Sequence, residues 1–412
     1  MLDANQLANA TAVAQLCASE PVLTGFAPAG EAMGLAREVI LASGPTMPFE
    51  EYIGGQRAGI IGAVLYEGLV DTPEDAEAAL AAGDVRVVGC QEFSCVGSLA
   101  GITSASMPVA AVSDASTGIS GFCTLYEGDS ADRLNYGTYS AATRANLDRL
   151  RDFVAPALQR LLERAGGSIE LKPLMARALA MGDELHSRNT AATLLFLREL
   201  LTRGKGTEPG AAEDLDTALV SLADDYFFLR LSMAASKVMA RSMHGVEGSS
   251  IVTAMAFSCR EFGIQVSGLG DRWFTGPLPT FEAMRLEKGF TADDMEFMGG
   301  ESVITEVVGL GGMAQAAGLP LFRSSGRSTS TMIERTQAMY SITHAEHPSF
   351  RIPSLDYRGT PLGIDVLRVV ETGTTPYLDI GIAGRSRRQI GGGVARAPLE
   401  PFAKAQEAFI SE

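Results

Sequence analysis

From Asn5 to Glu20 apolar residues return at the three-and-four spacing of a helix, and Glu31 to Leu41 repeats that pattern over a shorter stretch. The first runs with strand character are Val85 to Val88 and Pro108 to Val112. Residues 1–138 therefore read as an N-terminal α/β domain. The pattern then changes: Ala141 to Arg164, Ile169 to Met181, Thr190 to Arg203 and Leu215 to Met243 all carry helical periodicity, predicting a helical subdomain over residues 139–245. Beyond Gly245, β-branched runs return at Phe262 to Val266, Leu362 to Val370 and Pro376 to Ile382, with helices between them. Residues 246–412 read as a C-terminal α/β domain. The predicted class is α/β of mixed α+β character: two mixed α/β domains with an intervening helical subdomain. Gly204 to Glu213, GKGTEPGAAE, is the best linker, because glycine and proline cannot continue either flanking helix. No internal repeat or low-complexity tract is visible.

Composition narrows the choice of function. A chain of 412 residues exceeds one ordinary core, which agrees with two or three structural units. Its 46% hydrophobic and 20% charged residues leave little room for extended disorder. The formal net charge of −16 repels phosphate polymers and anionic lipid, so neither nucleic acid nor membrane is an expected partner. A small anion can still bind where a few arginines and helix N-termini focus a local field. The five cysteines, Cys17, Cys90, Cys95, Cys123 and Cys259, are odd in number and scattered, which suits a reducing cytoplasm. Asp3, Asn5 and Gln6 stand where a signal peptide needs other residues, and no run approaches the roughly 20 apolar residues of a membrane span.

Four polar constellations interrupt the apolar pattern. In Gly182-Asp183-Glu184-Leu185-His186-Ser187-Arg188-Asn189, Gly182 suits a helix C-terminus and Asn189 an N-cap. His186 can transfer a proton, Asp183 or Glu184 can orient it, and Arg188 can hold an anion. A solvated turn accounts for the same residues. In His244-Gly245-Val246-Glu247-Gly248-Ser249-Ser250, Gly248 or Ser249 would cap a helix opening at Ile251, leaving backbone N–H groups and two hydroxyls for a carboxylate or phosphate. Capping alone explains the serines, but not His244 or Glu247.

In Ser267-Gly268-Leu269-Gly270-Asp271-Arg272-Trp273-Phe274, Gly268 and Gly270 permit a tight turn that places Asp271 and Arg272 at the carboxyl end of a strand. A structural Arg272 to Asp271 pair is the plain alternative. Finally, Gly384-Arg385-Ser386-Arg387-Arg388-Gln389-Ile390-Gly391-Gly392-Gly393 reads as a loop after a strand, able to wrap an oxyanion with Arg385 and backbone donors, or simply to lie exposed. Gly309 to Ala314 imitates a dinucleotide fingerprint, yet its helix is cut short by Gly318 and Pro320. The Cys90 to Cys95 spacing has no companion ligand pair, and His344 and His347 read as capping or surface residues near a helix end before Pro348. No metal and no cofactor are expected.

The segments MGDELHSRNTAATLLFLREL, HGVEGSSIVTAMA and FGIQVSGLGDRWFTGP resemble the YlbE-like family, also called YahG/YlbE-like, and weaker similarity runs from the N-terminal helix through GSLAGITSASMPV to QIGGGVARAP. The resemblance covers nearly the whole chain. It implies kinship with the AllG-type subunit of oxamate carbamoyltransferase, which in anaerobic allantoin degradation interconverts oxalurate and phosphate with oxamate and carbamoyl phosphate. It further implies a small anionic metabolite of carbamoyl phosphate, oxamate or oxalurate type, and FdrA-like and AllH-like partner subunits. Self-association into a homo-oligomer is expected from the apolar surplus.

The chain departs from the family pattern at two places. A histidine-rich stretch of the family is replaced here by Gly89-Cys90-Gln91-Glu92-Phe93-Ser94-Cys95, and a family histidine near the C-terminus is replaced by Gly384. Three readings follow: a carbamoyltransferase subunit with His186 or His244 as proton acceptor and Arg188 and Arg272 holding the anion; a noncatalytic metabolite-binding or regulatory subunit; and an amidohydrolase acting on a ureido or cyclic amide compound.

Overall fold

The computed structural model describes residues 4–128, 130–323 and 328–411. Its strands are β1 (Val22–Pro28), β2 (Val39–Ala42), β3 (Arg86–Gly89), β4 (Pro108–Ser113), β5 (Ser120–Thr124), β6 (Ile169–Glu170), β7 (Val252–Phe257), β8 (Phe262–Val266), β9 (Phe274–Gly276), β10 (Thr280–Leu286), β11 (Thr343–Ile352), β12 (Arg358–Ile364), β13 (Tyr377–Gly384) and β14 (Arg388–Arg396). They form small sheets in the orders β5-β4-β1-β6, β2-β3, β7-β8-β9, β10-β14-β13 and β11-β12. Among these strands only β2 and β3 pair in parallel, and the helices Gly54–Tyr66 and Pro73–Ala82 supply the crossover that such a pair requires. The mixed α/β class read from the sequence is the class observed.

The helix Phe227–Ser242 positions everything else. Every side chain from Phe227 to Ala240 is buried, because apolar or small residues, Arg230 and Lys237 excepted, occupy all sides and leave no solvent face. It packs against β4 and β5 from the N-terminal segment, β7 from the C-terminal segment, and the helices Leu171–Ala180 and Thr190–Arg203 of the middle. The largest core cluster accordingly runs from Ala12 through Leu158 and Phe228 to Phe402, drawing on all three segments. A separate cluster, including Ile40, Ile60, Leu80 and Ile102, sits around the parallel pair.

Several local expectations are corrected. Glu31 to Leu41 holds a five-residue helix, Ala29–Met33, and then β2, whose Val39 to Ala42 are buried throughout. The long helix over Leu215 to Met243 is two helices, Ala211–Ser221 and Phe227–Ser242, broken where Asp224 accepts the Tyr226 N–H and competes with helical pairing. Ala141 to Arg164 is continuous only through a π turn at Leu150–Val154. No helix opens at Ile251; Val252 begins β7, a strand buried along its whole length. Leu362 to Val370 divides between β12 and the helix Val366–Thr372, which Asp365 caps. His344 and His347 lie in β11, where the buried His347 Nδ1 accepts the Ser349 and Phe350 N–H groups. The three glycines after the arginine-rich stretch are inside β14, paired on both sides, instead of in a loop.

Candidate functional site

The turn between the helices Leu171–Ala180 and Thr190–Arg203 is built by its own carboxylates. Gly182 takes a left-handed conformation (φ 102°), and so does the fully buried Leu185 (φ 69°), an uncommon state for a bulky residue. Glu184 holds that shape: its carboxylate accepts the backbone N–H groups of His186 (3.2 Å), Ser187 and Arg188 (2.9 Å). Asp183 accepts the Ala192 N–H at 2.8 Å, serving the start of the next helix, and binds the Arg188 guanidinium. Asn189 occupies the N-cap position, but its amide donates to the His186 carbonyl (2.8 Å). Burial pushes the Asp183 carboxyl up to about 6 although Ala192 and Arg188 pull it down.

His186 and Ser187 are the members of the turn that reach a cavity. The His186 Nδ1 lies 2.8 and 3.1 Å from the two carboxylate oxygens of Glu306, a residue with no solvent exposure. Glu306 is also surrounded by the N–H groups of Gly312 (2.9 Å) and Asp379 (3.0 Å) and the Thr305 hydroxyl (2.9 Å). An acceptor so enclosed by donors fixes the tautomer: Nδ1 carries hydrogen toward Glu306, and Nε2 is left as the basic nitrogen. Burial would lower the imidazole pKa, but the Glu306 charge and hydrogen bond, with Asp379 adding to them, hold it above its usual value. The Asp379 carboxylate accepts the Gln315 amide at 2.8 Å. Burial and the neighbouring Glu306 push it up to about 7, against the pull of His186, Gln315 and Arg335.

These groups wall a cavity of about 510 Å³. His186, Ser187, Gln315 and Asp379 line one part of it, Gln389 and Gly391 to Gly393 another, and Tyr136, Tyr226, Arg133 and Arg230 a third. Arg285 and Lys288, both exposed, stand at its edge. Backbone fit explains the glycines: a Cβ on Gly391 or Gly393 would strike the Arg285 or Ala283 carbonyl of β10. The lining brings four cationic side chains, Arg133, Arg230, Arg285 and Lys288, together with the carboxylates of Glu127, Glu287 and Asp379.

The family model for the oxamate carbamoyltransferase subunit AllG matches residues 85–302. Over its length the chain is 35% identical to the oxamate carbamoyltransferase subunit AllG of Escherichia coli strain K12, covering 98% of this chain and 97% of that one. The chain belongs to the AllG family. It is also 33% identical to the uncharacterized protein YahG of the same strain, over 97% of this chain and 84% of that one. Among solved structures, a conserved protein of unknown function from Enterococcus faecalis V583 superposes with a TM-score of 0.93 at 33% identity, over 99% of this chain and 98% of the other. The stretch matched by the AllG family model contains His186 and Arg230, while Glu306, Gln315 and Asp379 lie beyond its C-terminal limit.

The other expected site residues lie away from the cavity lining. His244 donates or accepts at both nitrogens, with Nδ1 3.1 Å from the Thr253 hydroxyl and Nε2 3.1 Å from Asp271, which in turn pairs with Arg241 at 2.9 Å. Burial, then Arg241, pushes its pKa down to about 4. Arg272 is exposed, its Nε donating to the Leu269 carbonyl at 3.3 Å and its guanidinium lying 5.6 Å from the Phe274 ring centre.

Ser249 and Ser250 do not begin a helix. Their hydroxyls join a buried network with Asn9 and Asp365, in which Ser250 donates to Asp365 at 2.8 Å. Gly248 accepts from Asn5 through its carbonyl, Gly268 packs against the Ser249 backbone, Gly270 turns with φ 66°, and Glu247 is exposed. The Arg385 backbone N–H donates to the Asp294 carbonyl, and the side chain is exposed.

In the stretch that departs from the family pattern, Cys90 and Cys95 are buried, and Gln91 accepts from the buried Lys237 at 2.5 Å. Ser98 and Leu99, immediately downstream, line the cavity. Gly384 ends β13, where a Cβ would meet Ile390. Among the described residues, no cluster of His, Cys, Asp or Glu is arranged to hold a metal, and no helix is long and apolar enough to cross a membrane.

Sequence reasoning missed Glu306, Asp379, Gln315 and Arg230. A signal was present for two of them: Asp379 interrupts the apolar strand YLDIGIA, and Arg230 interrupts the apolar helix FFLRLSMAA. A charge placed where the pattern demands burial needs a partner or a ligand.

Proposed function

We propose that this protein is a subunit of an oxamate carbamoyltransferase-like enzyme of the cytoplasm, working with FdrA-like and AllH-like partners, and that the cavity beside His186 receives the carbamoyl-bearing or carbamoyl-accepting anion. One observation carries the reading: the imidazole of a cavity-lining histidine is anchored through Nδ1 to a buried carboxylate, and its other nitrogen has no hydrogen-bond partner among the described residues. Membership of the AllG family supports a subunit role in such an enzyme.

The chemistry asks for what this arrangement offers. An amide nitrogen is a weak nucleophile, so a positioned base must take its proton as it attacks. As the oxamate nitrogen attacks the carbamoyl carbon of carbamoyl phosphate, His186 Nε2 takes the N–H proton, the new C–N bond forms and the C–O bond to phosphate breaks. Oxalurate and inorganic phosphate result. In the opposite direction phosphate oxygen attacks the ureido carbon, the C–N bond breaks, and the imidazolium returns its proton to the departing oxamate nitrogen. Glu306 orients the ring and steadies its positive charge, while Glu184, Asp183 and Asn189 fix the turn that carries it. Arg285 and Lys288 draw the anion toward the opening.

The test is phosphate-dependent carbamoyl exchange by the assembled subunits. His186→Asn is expected to lower it by about 10²–10⁴-fold. An unchanged rate in this variant would remove His186 from the reaction. Carbamoyl release that needs no phosphate would instead mark an amidohydrolase, and binding without turnover in the full assembly would mark a regulatory subunit.

A further inference from the structure

The helix Phe227–Ser242 carries a charge where its pattern has no place for one. Arg230 is 9% exposed and lines the cavity. Its Nη1 reaches only the Met233 sulfur at 3.9 Å, and its guanidinium stands 5.2 Å from the centre of the Tyr126 ring. No carboxylate among the described residues pairs with it. Ion pairing is the usual condition for burying a guanidinium, and an aromatic face is a weak substitute.

A second cation lies close by. Arg133, 5% exposed, stacks 4.2 Å from the centre of the Tyr136 ring and donates to the Tyr126 hydroxyl at 3.4 Å. Both guanidiniums thus lie against the ring of Tyr126. The nearby Glu127 carboxylate is held by its own loop and not by Arg230: its oxygens accept the Leu134 N–H (2.7 Å), the Asn135 N–H (3.1 Å) and the Asn135 amide (2.7 Å).

We infer that Arg230 is the receptor for a carboxylate of the cavity's ligand, a deepening that rests on the reading of this cavity as the ligand site. The surroundings select a carboxylate over a phosphate. The planar Arg230 guanidinium beside the Tyr126 ring matches a planar, bidentate oxyanion. Phosphate sites in contrast draw on free backbone N–H groups, and the backbone of Gly391 to Gly393 is engaged in pairing with β10 and β13. Holding the carboxylate of a small amide or ureido acid at Arg230 leaves its nitrogen end for His186.

Calorimetric titration of oxamate, and separately of inorganic phosphate, into the full chain alone and with its partner subunits tests the inference. Arg230→Met is expected to raise the oxamate Kd at least about thirtyfold, and Arg230→Lys to raise it less. His186→Asn should leave that Kd within about threefold, since the base acts on the nitrogen end. A thermal melt guards against misfolding: removing an unpaired buried charge should leave the ligand-free Tm equal or higher, while oxamate no longer raises it.

The inference is overturned by an unchanged oxamate Kd in Arg230→Met, by a wild type that binds no oxamate in either setting, or by phosphate affinity alone depending on Arg230. An Arg230→Met variant that melts well below the wild type would make the residue structural, and an unaltered oxamate Kd in Arg230→Lys as well would then end the case. Exchange that depends on His186 with oxamate affinity that ignores Arg230 defeats only this inference. Oxamate binding that depends on Arg230 with exchange that ignores His186 defeats only the proposed reaction.

Discussion

His186 and His244 each sit beside a carboxylate and a hydroxyl-bearing segment, yet the two neighbourhoods are opposites. His186 leans on Glu306, which has no exposure, and lines a cavity; His244 is closed at both nitrogens, by Thr253 and by an Asp271 side chain that is 77% exposed. The first imidazole is held above its ordinary pKa despite burial, by Glu306 and Asp379. The second falls to about 4, because burial and Arg241 outweigh a solvated aspartate. A carboxylate strengthens a base when it is itself enclosed and hydrogen-bonded; left in water, it is screened.

The contrast can be broken most severely at Glu306. Glu306→Gln removes the negative charge, so the His186 pKa should fall and the acid limb of the carbamoyl exchange profile should move to lower pH, with a rate loss of about 10–100-fold. The same change strips a buried acceptor and should cost roughly 2–3 kcal/mol in urea unfolding. An acid limb that stays in place would separate Glu306 from the function of His186.

A smaller effect concerns pH and stability. The folded pKa of His244 is depressed from 6.5 to about 4, so its contribution is present above pH 6.5 and lost as pH falls through about 4. The contribution of His186, whose pKa is raised, runs the other way, present below 6.5 and lost as pH rises through its folded value. In His244→Gln the decline of the urea midpoint between pH 6.5 and 4 should be shallower than in wild type, whereas identical slopes would show that the imidazole does not titrate as its surroundings require. Least of all should come from Asp271→Ala, an exposed partner worth about 0–1 kcal/mol, with exchange unaltered. A tenfold loss of exchange there would return the His244 cluster to the chemistry.

Much of the architecture was legible because long apolar periodicity leaves few choices: Thr190 to Arg203 is a helix at the expected bounds, and Phe262 to Val266 a strand. Short segments misled, since four buried residues such as Val39 to Ala42 satisfy either period. The turn at His186 was legible as a polar cluster between helices, and its place at a cavity follows from contacts that sequence distance hides. Glu306 is 120 positions from His186, and Asp379 a further 73 beyond Glu306. Ser249 and Ser250 misled for a clear reason: glycine and serine before an apolar run mark a helix start, but here Asn9 and Asp365, brought in from both ends of the chain, take up those hydroxyls.

The strand that floors the cavity sets how its capacity can be altered. At 391 and 393 any side chain meets main chain of the neighbouring strand, so these two positions are frozen. At 392 an added methyl finds only the Ile380 carbonyl at 3.8 Å and otherwise open space. Of these three glycines, only the middle one can therefore be enlarged to trim the chamber, a dial for ligand size that leaves the strand pairing around it untouched.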